Sequence, residues 1–252
     1  MTLALPLALA LFAATTTHAA EERALPATGE GRRPEHTDSL DALVGRIAKA
    51  YGGEKALSGV HVVRETGTVE SPRGVARTLR VFASPDRLRV EIQYEEGGGE
   101  TRVLDGPHGY RNGERVSGPP RDAMVLQAAR LDLPGLLLRT REKLVDLGEV
   151  VRDGRKLRGI GVPLEGGLNV AIGVDPKSAR IVHSEGALPG MGGGMRFATV
   201  YSDFRDVEGV TFAFHEDNFA GGQRTGETRF DRIEILKEAP EGSFAPGGHS
   251  LP

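Results

Sequence analysis

RLRVEIQY, Arg87 to Tyr94, alternates without a slip. Leu88, Val90, Ile92 and Tyr94 fall on one side of an extended chain, and Arg87, Arg89, Glu91 and Gln93 fall on the other. A period of two with one apolar and one charged face predicts a half-buried antiparallel strand, dry on one side and wet on the other. The octapeptide carries no catalytic constellation. Its interest lies in what the dry face encloses.

Working outward, Val60 to Glu70 and Gly74 to Ala83 read as two strands joined around Ser71-Pro72-Arg73. Gly97-Gly98-Gly99 turns the chain after Tyr94, ETRVLDG extends the meander, and HGYRNGERV forms a short further piece. After Lys143 the strand rhythm returns, near 145–151, 155–164, 168–174, 179–187, 195–204, 209–219 and 223–236. Within it, YSDFRDVEGVTFAF, Tyr201 to Phe214, reads as a hairpin whose Gly209 supplies the positive φ of the turn. Tyr201 and Asp203 are expected to face opposite to Ser202 and Phe204, with Val210, Phe212 and Phe214 sharing one face.

Two segments change the period. TDSLDALVGRIAKAYGG predicts a helix, with Thr37, Asp38 or Ser39 as its cap. Leu40, Leu43, Val44, Ile47 and Tyr51 form its apolar stripe, and Gly52-Gly53 is its stop. PPRDAMVLQAARLDLPGLLLRTREKL reads as a helical insertion opened by Pro119-Pro120 and divided at Pro134-Gly135. Leu136, Leu137 and Leu138 are apolar at consecutive positions, as in buried core or in a lid that covers a cavity. The fold class that follows is α+β: about eleven antiparallel strands, an N-terminal helix and a central helical lid insertion. A strongly curved sheet or incomplete β-barrel packs such elements with helices over its mouth.

The chain has 252 residues and a formal net charge of −3, which gives no electrostatic footprint for nucleic acid. Residues 1–19 read as a secretory signal peptide cleaved after Ala19, although no Lys or Arg precedes its apolar core. Residues 20–36 read as a flexible polar leader and 37–252 as one domain. The apolar run is too short for a stable bilayer anchor, so a soluble periplasmic protein is expected, with secretion as second choice and no integral span in the mature chain. Cysteine is absent, which excludes disulfides, thiolate zinc sites, Fe–S clusters, cysteine nucleophiles and a lipobox anchor.

Motifs for chemistry are lacking. No G-x-S-x-G occurs, and GIGVPLEG, Gly159 to Gly166, fails the dinucleotide fingerprint at Leu164. The histidines are scattered, and GMGGGM, Gly190 to Met195, is a loop rather than a phosphate cradle. HED, His215 to Asp217, places His215 and Asp217 on one strand face and Glu216 on the other, a pattern that suits a solvated face better than a metal site. No catalytic residue, metal or cofactor is expected. A chain of this size built as a curved sheet with one apolar face suits a container or a docking surface.

SPDRLRVEIQY, Ser84 to Tyr94, then DGPHGY, Asp105 to Tyr110, and YSDFRDVEGVTFAF together resemble the periplasmic outer-membrane lipoprotein-sorting (LolA-like) family. The likeness spans roughly residues 37 to 250 as an order of elements, and the final SFAP, Ser243 to Pro246, fits the family's habit. The resemblance implies an unclosed antiparallel barrel with a helical lid over a hydrophobic cavity, used to shield the acyl chains of lipoproteins, to carry lipid or to sense. Such carriers commonly hold the lid with an arginine just before the proline that opens the third strand; here Ser84 stands in that place, and Arg87 and Arg89 do not inherit it.

The expected function is therefore a carrier or binding protein for a lipid or acylated protein ligand. Leu88, Val90, Ile92 and Tyr94 would stand in the cavity wall and Leu136, Leu137 and Leu138 in the lid, positions that ordinary core packing also explains. The alternatives are a non-enzymatic envelope sensor or interaction module with a protein partner, and, behind it, a hydrolase with an unrecognised site.

Overall fold

Arg87–Tyr94 pairs with a strand on each side, and the pairing continues until, among the described residues, thirteen strands share one sheet. A computed structural model describes residues 39–188 and 194–248. The expected signal peptide, the leader and most of the GMGGGM loop lie outside the described residues.

In chain order the elements begin with α1 (Leu40–Ala50), α2 (Glu54–Ser58), β1 (Val62–Ser71), β2 (Gly74–Ala83), β3 (Arg87–Tyr94) and β4 (Gly99–Asp105). Next come β5 (His108–Arg111), β6 (Glu114–Val116), α3 (Pro119–Leu131) and α4 (Leu133–Arg139). Then follow β7 (Val145–Arg152), β8 (Arg155–Pro163), β9 (Asn169–Val174), β10 (Ile181–Leu188), β11 (Met195–Val207), β12 (Val210–Ala220) and β13 (Gln223–Leu236). The strand order is β6-β5-β4-β3-β2-β1-β13-β12-β11-β10-β9-β8-β7, and the pairing is antiparallel throughout. Two meanders thus join where β1 lies beside β13, and among the described residues β6 and β7 are the edge strands.

The chain between those edges is α3 and α4, and their packing reveals the curvature. α3 touches β3, β4 and β5 on one side and β9 and β10 on the other. β4 and β10 stand seven strand spacings apart, roughly 34 Å in a flat sheet at about 4.8 Å per strand. Both reach one helix about 10–12 Å in diameter, so the sheet curls around it without closing. The expected α+β class and curved, unclosed sheet are what the protein has. The strand count differs. HGYRNGERV is a hairpin of its own, β5 and β6, turned by Asn112 (φ 50°) and Gly113 (φ 83°), and its two short strands raise the expected eleven to thirteen.

α1 is capped by Ser39, whose Oγ accepts from the Ala42 amide at 3.2 Å. Its buried stripe of Leu43, Val44, Ile47 and Ala48 packs with α4 and with Ile160, Val170 and Ile172 of the sheet. The one-turn α2 follows Gly52-Gly53 and was not expected from the sequence. The helical insertion divides at Asp132 rather than at Pro134, because proline fits the first turn of a new helix, where its missing N–H breaks no bond.

One expectation about β3 is overturned. Its outward face is not wet: Arg89 is 1% exposed and Glu91 7%. The C-terminal strap, residues 241–248, lies over that side, burying Phe244 among Val62, Leu79, Val81, Ala83 and Val103. Arg89 donates to the carbonyls of Ser243 (3.4 Å), Ala245 (3.1 Å) and Gly248 and pairs with Glu91, while Arg87 lies over the Phe244 ring at 4.2 Å. A charged pair is tolerated there because backbone carbonyls from the strap satisfy the guanidinium.

Candidate binding cavity

The opposite face of the sheet, toward α1, α3 and α4, encloses two cavities. The smaller, ≈90 Å³, is bordered by Tyr51, Phe82, Leu133, Phe204, Phe212 and Arg130. The larger, ≈280 Å³, is bordered by Val90, Ile92, Tyr94, Arg102, Phe219 and again Arg130. At roughly 30 Å³ per water molecule the smaller holds about three, and it falls short of the ~150 Å³ that admits benzene in an engineered protein cavity. Admitting a chain there requires its wall to move, and Leu133, Pro134 and Gly135 of α4 form part of that wall.

The sequence-predicted residues divide between these places. Leu88 and Val90 are buried with Phe82, Leu104, Met124 and Ala128 under α3, and Ile92 packs against the same cluster. Val90, Ile92 and Tyr94 line the larger cavity, and Leu88 lines neither. Tyr94 also carries Arg73 over its ring at 4.3 Å. Leu137 is buried in the main core, where Leu136 and Leu138 pack against it, and none of the three borders a cavity.

A polar cluster stands on the same face. Arg80 of β2 meets Glu216 of β12 through two bonds, 3.0 and 2.7 Å, with Glu65 of β1 at 3.6 Å and the Phe230 ring at 4.8 Å. Burial raises the Glu65 carboxyl to about 7, against the pull of Arg80 and with repulsion from Glu216 in support. Burial works against the charge of Arg80 too, but Glu216 and Glu65 outweigh it and its pKa rises. Tyr201 of β11 is pushed up to about 12, chiefly by burial, and shares a 2.7 Å hydrogen bond with Ser184.

Arg130, at the last turn of α3, differs from these. Its Nη1 donates to the Phe197 carbonyl at 3.4 Å, and among the described residues no carboxylate lies within ion-pair distance of it. Burial lowers its pKa, with Tyr201 and Glu216 opposing. Sequence reasoning missed Glu65, Arg80, Arg130, Tyr201 and Glu216. A usable signal existed for Arg80, a single charge between the apolar Leu79 and Val81 of a strand, on the same face as Phe82.

The joint between the helices is tied to the sheet by the residue that stands before Pro85. Ser84 Oγ donates to Asp132 Oδ2 at 3.1 Å, and Arg139 pairs with the same carboxylate. Burial raises Asp132 to about 6, opposed by Arg139 and Ser84. Ser84 thus touches the α3–α4 joint through Asp132.

The hairpin Tyr201–Phe214 turns as expected at Gly209 (φ 84°), with Glu208 (φ 53°) in the left-handed region as well, but its alternation breaks. Asp203 adopts φ 52°, and Tyr201 and Phe204, expected on opposite faces, both border the smaller cavity. The tip is pinned to the end of α1: Thr211 donates from its amide to the Tyr51 carbonyl (3.3 Å) and from Oγ1 to Ala50 (3.2 Å). An added Cβ at Gly52 would lie 2.1 Å from the Gly209 carbonyl oxygen, so the contact requires glycine.

His215 and Asp217 do share one face and Glu216 the other, as the alternation of HED implies. His215, Asp217 and Glu227 bring ligand-type atoms within 4.8 Å of one another, but Arg224 already donates to Asp217 (2.6 Å) and Glu227 (2.5 Å), and Arg229 to Glu227 (2.7 Å). Ser202 Oγ and His215 Nδ1 lie 2.8 Å apart on that same face and border neither cavity.

No protein-family model matches the sequence, and no curated protein matches it. Solved structures do. An outer-membrane lipoprotein-sorting protein domain from Vibrio parahaemolyticus is similar over 82% of this chain and 97% of its own, at 11% identity and a TM-score of 0.50. A LolA superfamily protein from Nitrosomonas europaea is similar over 83% of this chain and 98% of its own, at 10% identity and a TM-score of 0.51. With a single curled antiparallel sheet and helices α3 and α4 bridging its edges, the chain has the fold of the LolA-like lipoprotein-sorting proteins.

Proposed function

We propose that this protein is a non-enzymatic envelope carrier that shields the acyl chain of a lipid or an acylated protein between its sheet and its helical insertion. On this reading residues 1–19 direct export to the periplasm, 20–36 are a leader, and 37–252 form the carrier domain. The observation that carries the proposal is the pair of cavities beneath the helical insertion: the smaller has an aromatic and aliphatic wall that includes Leu133–Gly135, and the larger sets Val90, Ile92, Tyr94 and Phe219 beside polar groups that include Arg80, Arg102 and Arg130. Each methylene moved from water into such a wall contributes about 0.8 kcal/mol, so a chain of modest length binds reversibly without any covalent chemistry. Val90, Ile92 and Tyr94 serve as wall. Leu88, on the same strand face, packs beside them under α3, and Leu136–Leu138 anchor the moving segment to the core.

The test is binding of a fluorescent fatty-acyl probe to delipidated protein. Saturable binding is expected, and Val90→Phe, which fills the larger cavity, weakens it at least several-fold. Ile92→Trp serves the same purpose at a less buried position. A folded protein with no saturable probe binding contradicts the carrier. Purification with a stable protein partner and no lipid favours the sensor module on the same fold.

A further inference from the structure

The two cavities share one charged wall residue, Arg130, and its surroundings differ from those of the other inward-facing arginines. Arg80 is clasped by Glu216 and approached by Glu65. Arg102 lies 3.3 Å from Glu100 and donates to Gln127 at 2.9 Å. A guanidinium carries five N–H donors, and the hydrogen bond of Arg130 among the described residues is the single one to Phe197. Arg130 is half-buried, and a cation held partly out of water beside an apolar wall gains from an anion brought to it. The three carboxylates that border the smaller cavity are taken up elsewhere: Glu216 is committed to Arg80 by two bonds, Glu65 also faces Arg80, and Asp132 pairs with Arg139. Burial lowers the pKa of Arg130, with Tyr201 and Glu216 opposing and Arg80 adding to the shift.

We propose that Arg130 is the head-group anchor of the cavity, and that the ligand is an acyl chain ending in a carboxylate, held by that guanidinium while the chain lies along the apolar wall. The inference rests on the acyl-carrier reading given above and narrows it from any acyl chain to one with an anionic end. Arg130 suits the role by position, since it borders both cavities and a chain in either one brings its head to the same place. A guanidinium also matches the planar geometry of a carboxylate through two parallel donors.

The experiment compares palmitate, hexadecanol and acetate as competitors of a fluorescent acyl probe at neutral pH, for the wild type and for Arg130→Gln. Palmitate is expected to bind roughly tenfold or more tightly than hexadecanol, as a charged hydrogen bond implies. Arg130→Gln is expected to bring that ratio close to one, and Arg130→Lys to retain part of it. Acetate is expected to compete only weakly, because it lacks the chain. Equal binding of palmitate and hexadecanol by the wild type overturns the anchor and leaves the acyl carrier standing, with no variant required. Acetate competing as well as palmitate also overturns it, as a bare anion site. A folded wild type that binds none of the three removes the carrier reading itself.

Discussion

Glu65 is the sharpest lever on the buried cluster. Its carboxyl is shifted from 4.5 to about 7, first by burial, with Arg80 opposing and Glu216 adding to the shift. A raised folded-state value means that the folded protein holds this proton more tightly than the unfolded chain does. The stability contribution of the protonated group is complete below about pH 4.5 and is lost progressively as pH rises through about 7. A shift of this size corresponds to about 3 kcal/mol as an upper bound. Glu65→Gln removes the titration and leaves the two bonds from Arg80 to Glu216 in place. Urea unfolding of both proteins from about pH 4.5 to 8 is the assay. The wild type should lose stability across that window and the variant should lose less, so that the variant is the more stable of the two at the alkaline end by up to about 3 kcal/mol. If instead Glu65→Gln is destabilised by about 3–5 kcal/mol at every pH, Glu65 is an essential counter-charge of a buried ion pair, and the reasoning is refuted.

Two further substitutions report on the lid joint and the strap. Ser84→Ala removes a donor to the buried Asp132 carboxylate and should cost about 1.5–3 kcal/mol. It should also speed amide exchange in α4, and unchanged exchange there would separate Ser84 from the lid. Phe244→Ala empties the site between the strap and β1–β4 and should cost about 3–5 kcal/mol, with faster proteolysis near residues 241–248. A strap that stays protease-resistant would show that the Arg89 contacts to its carbonyls hold it without the ring.

Much of the fold was legible because its signals are local. The alternation of β3, the capped stripe of α1 and the Glu208-Gly209 turn each need only a few neighbouring residues, and each stands where the pattern placed it. What was illegible depends on contacts far apart in sequence. Arg89 and Glu91 read as a wet face because the strap that covers them lies about 150 residues away in the chain. Asp203 reads as a regular strand residue, and only its φ of 52° brings Phe204 to the cavity beside Tyr201. The polar cluster was out of reach for the same reason: Glu65, Arg80, Arg130, Tyr201 and Glu216 come from five elements, β1, β2, α3, β11 and β12. Leu136–Leu138 were prominent as a run, yet the cavity wall is built one turn earlier, from Leu133 to Gly135. An apolar triplet identifies a buried segment without telling which neighbour buries it.

Native mass spectrometry of the full chain purified from the cell envelope without detergent exchange tests the central claim most directly. The carrier account predicts a fraction of the protein with the added mass of a single acylated ligand, lost on delipidation and restored by palmitate. Protein that carries no added mass, and that takes up none when palmitate is supplied in excess, would contradict it.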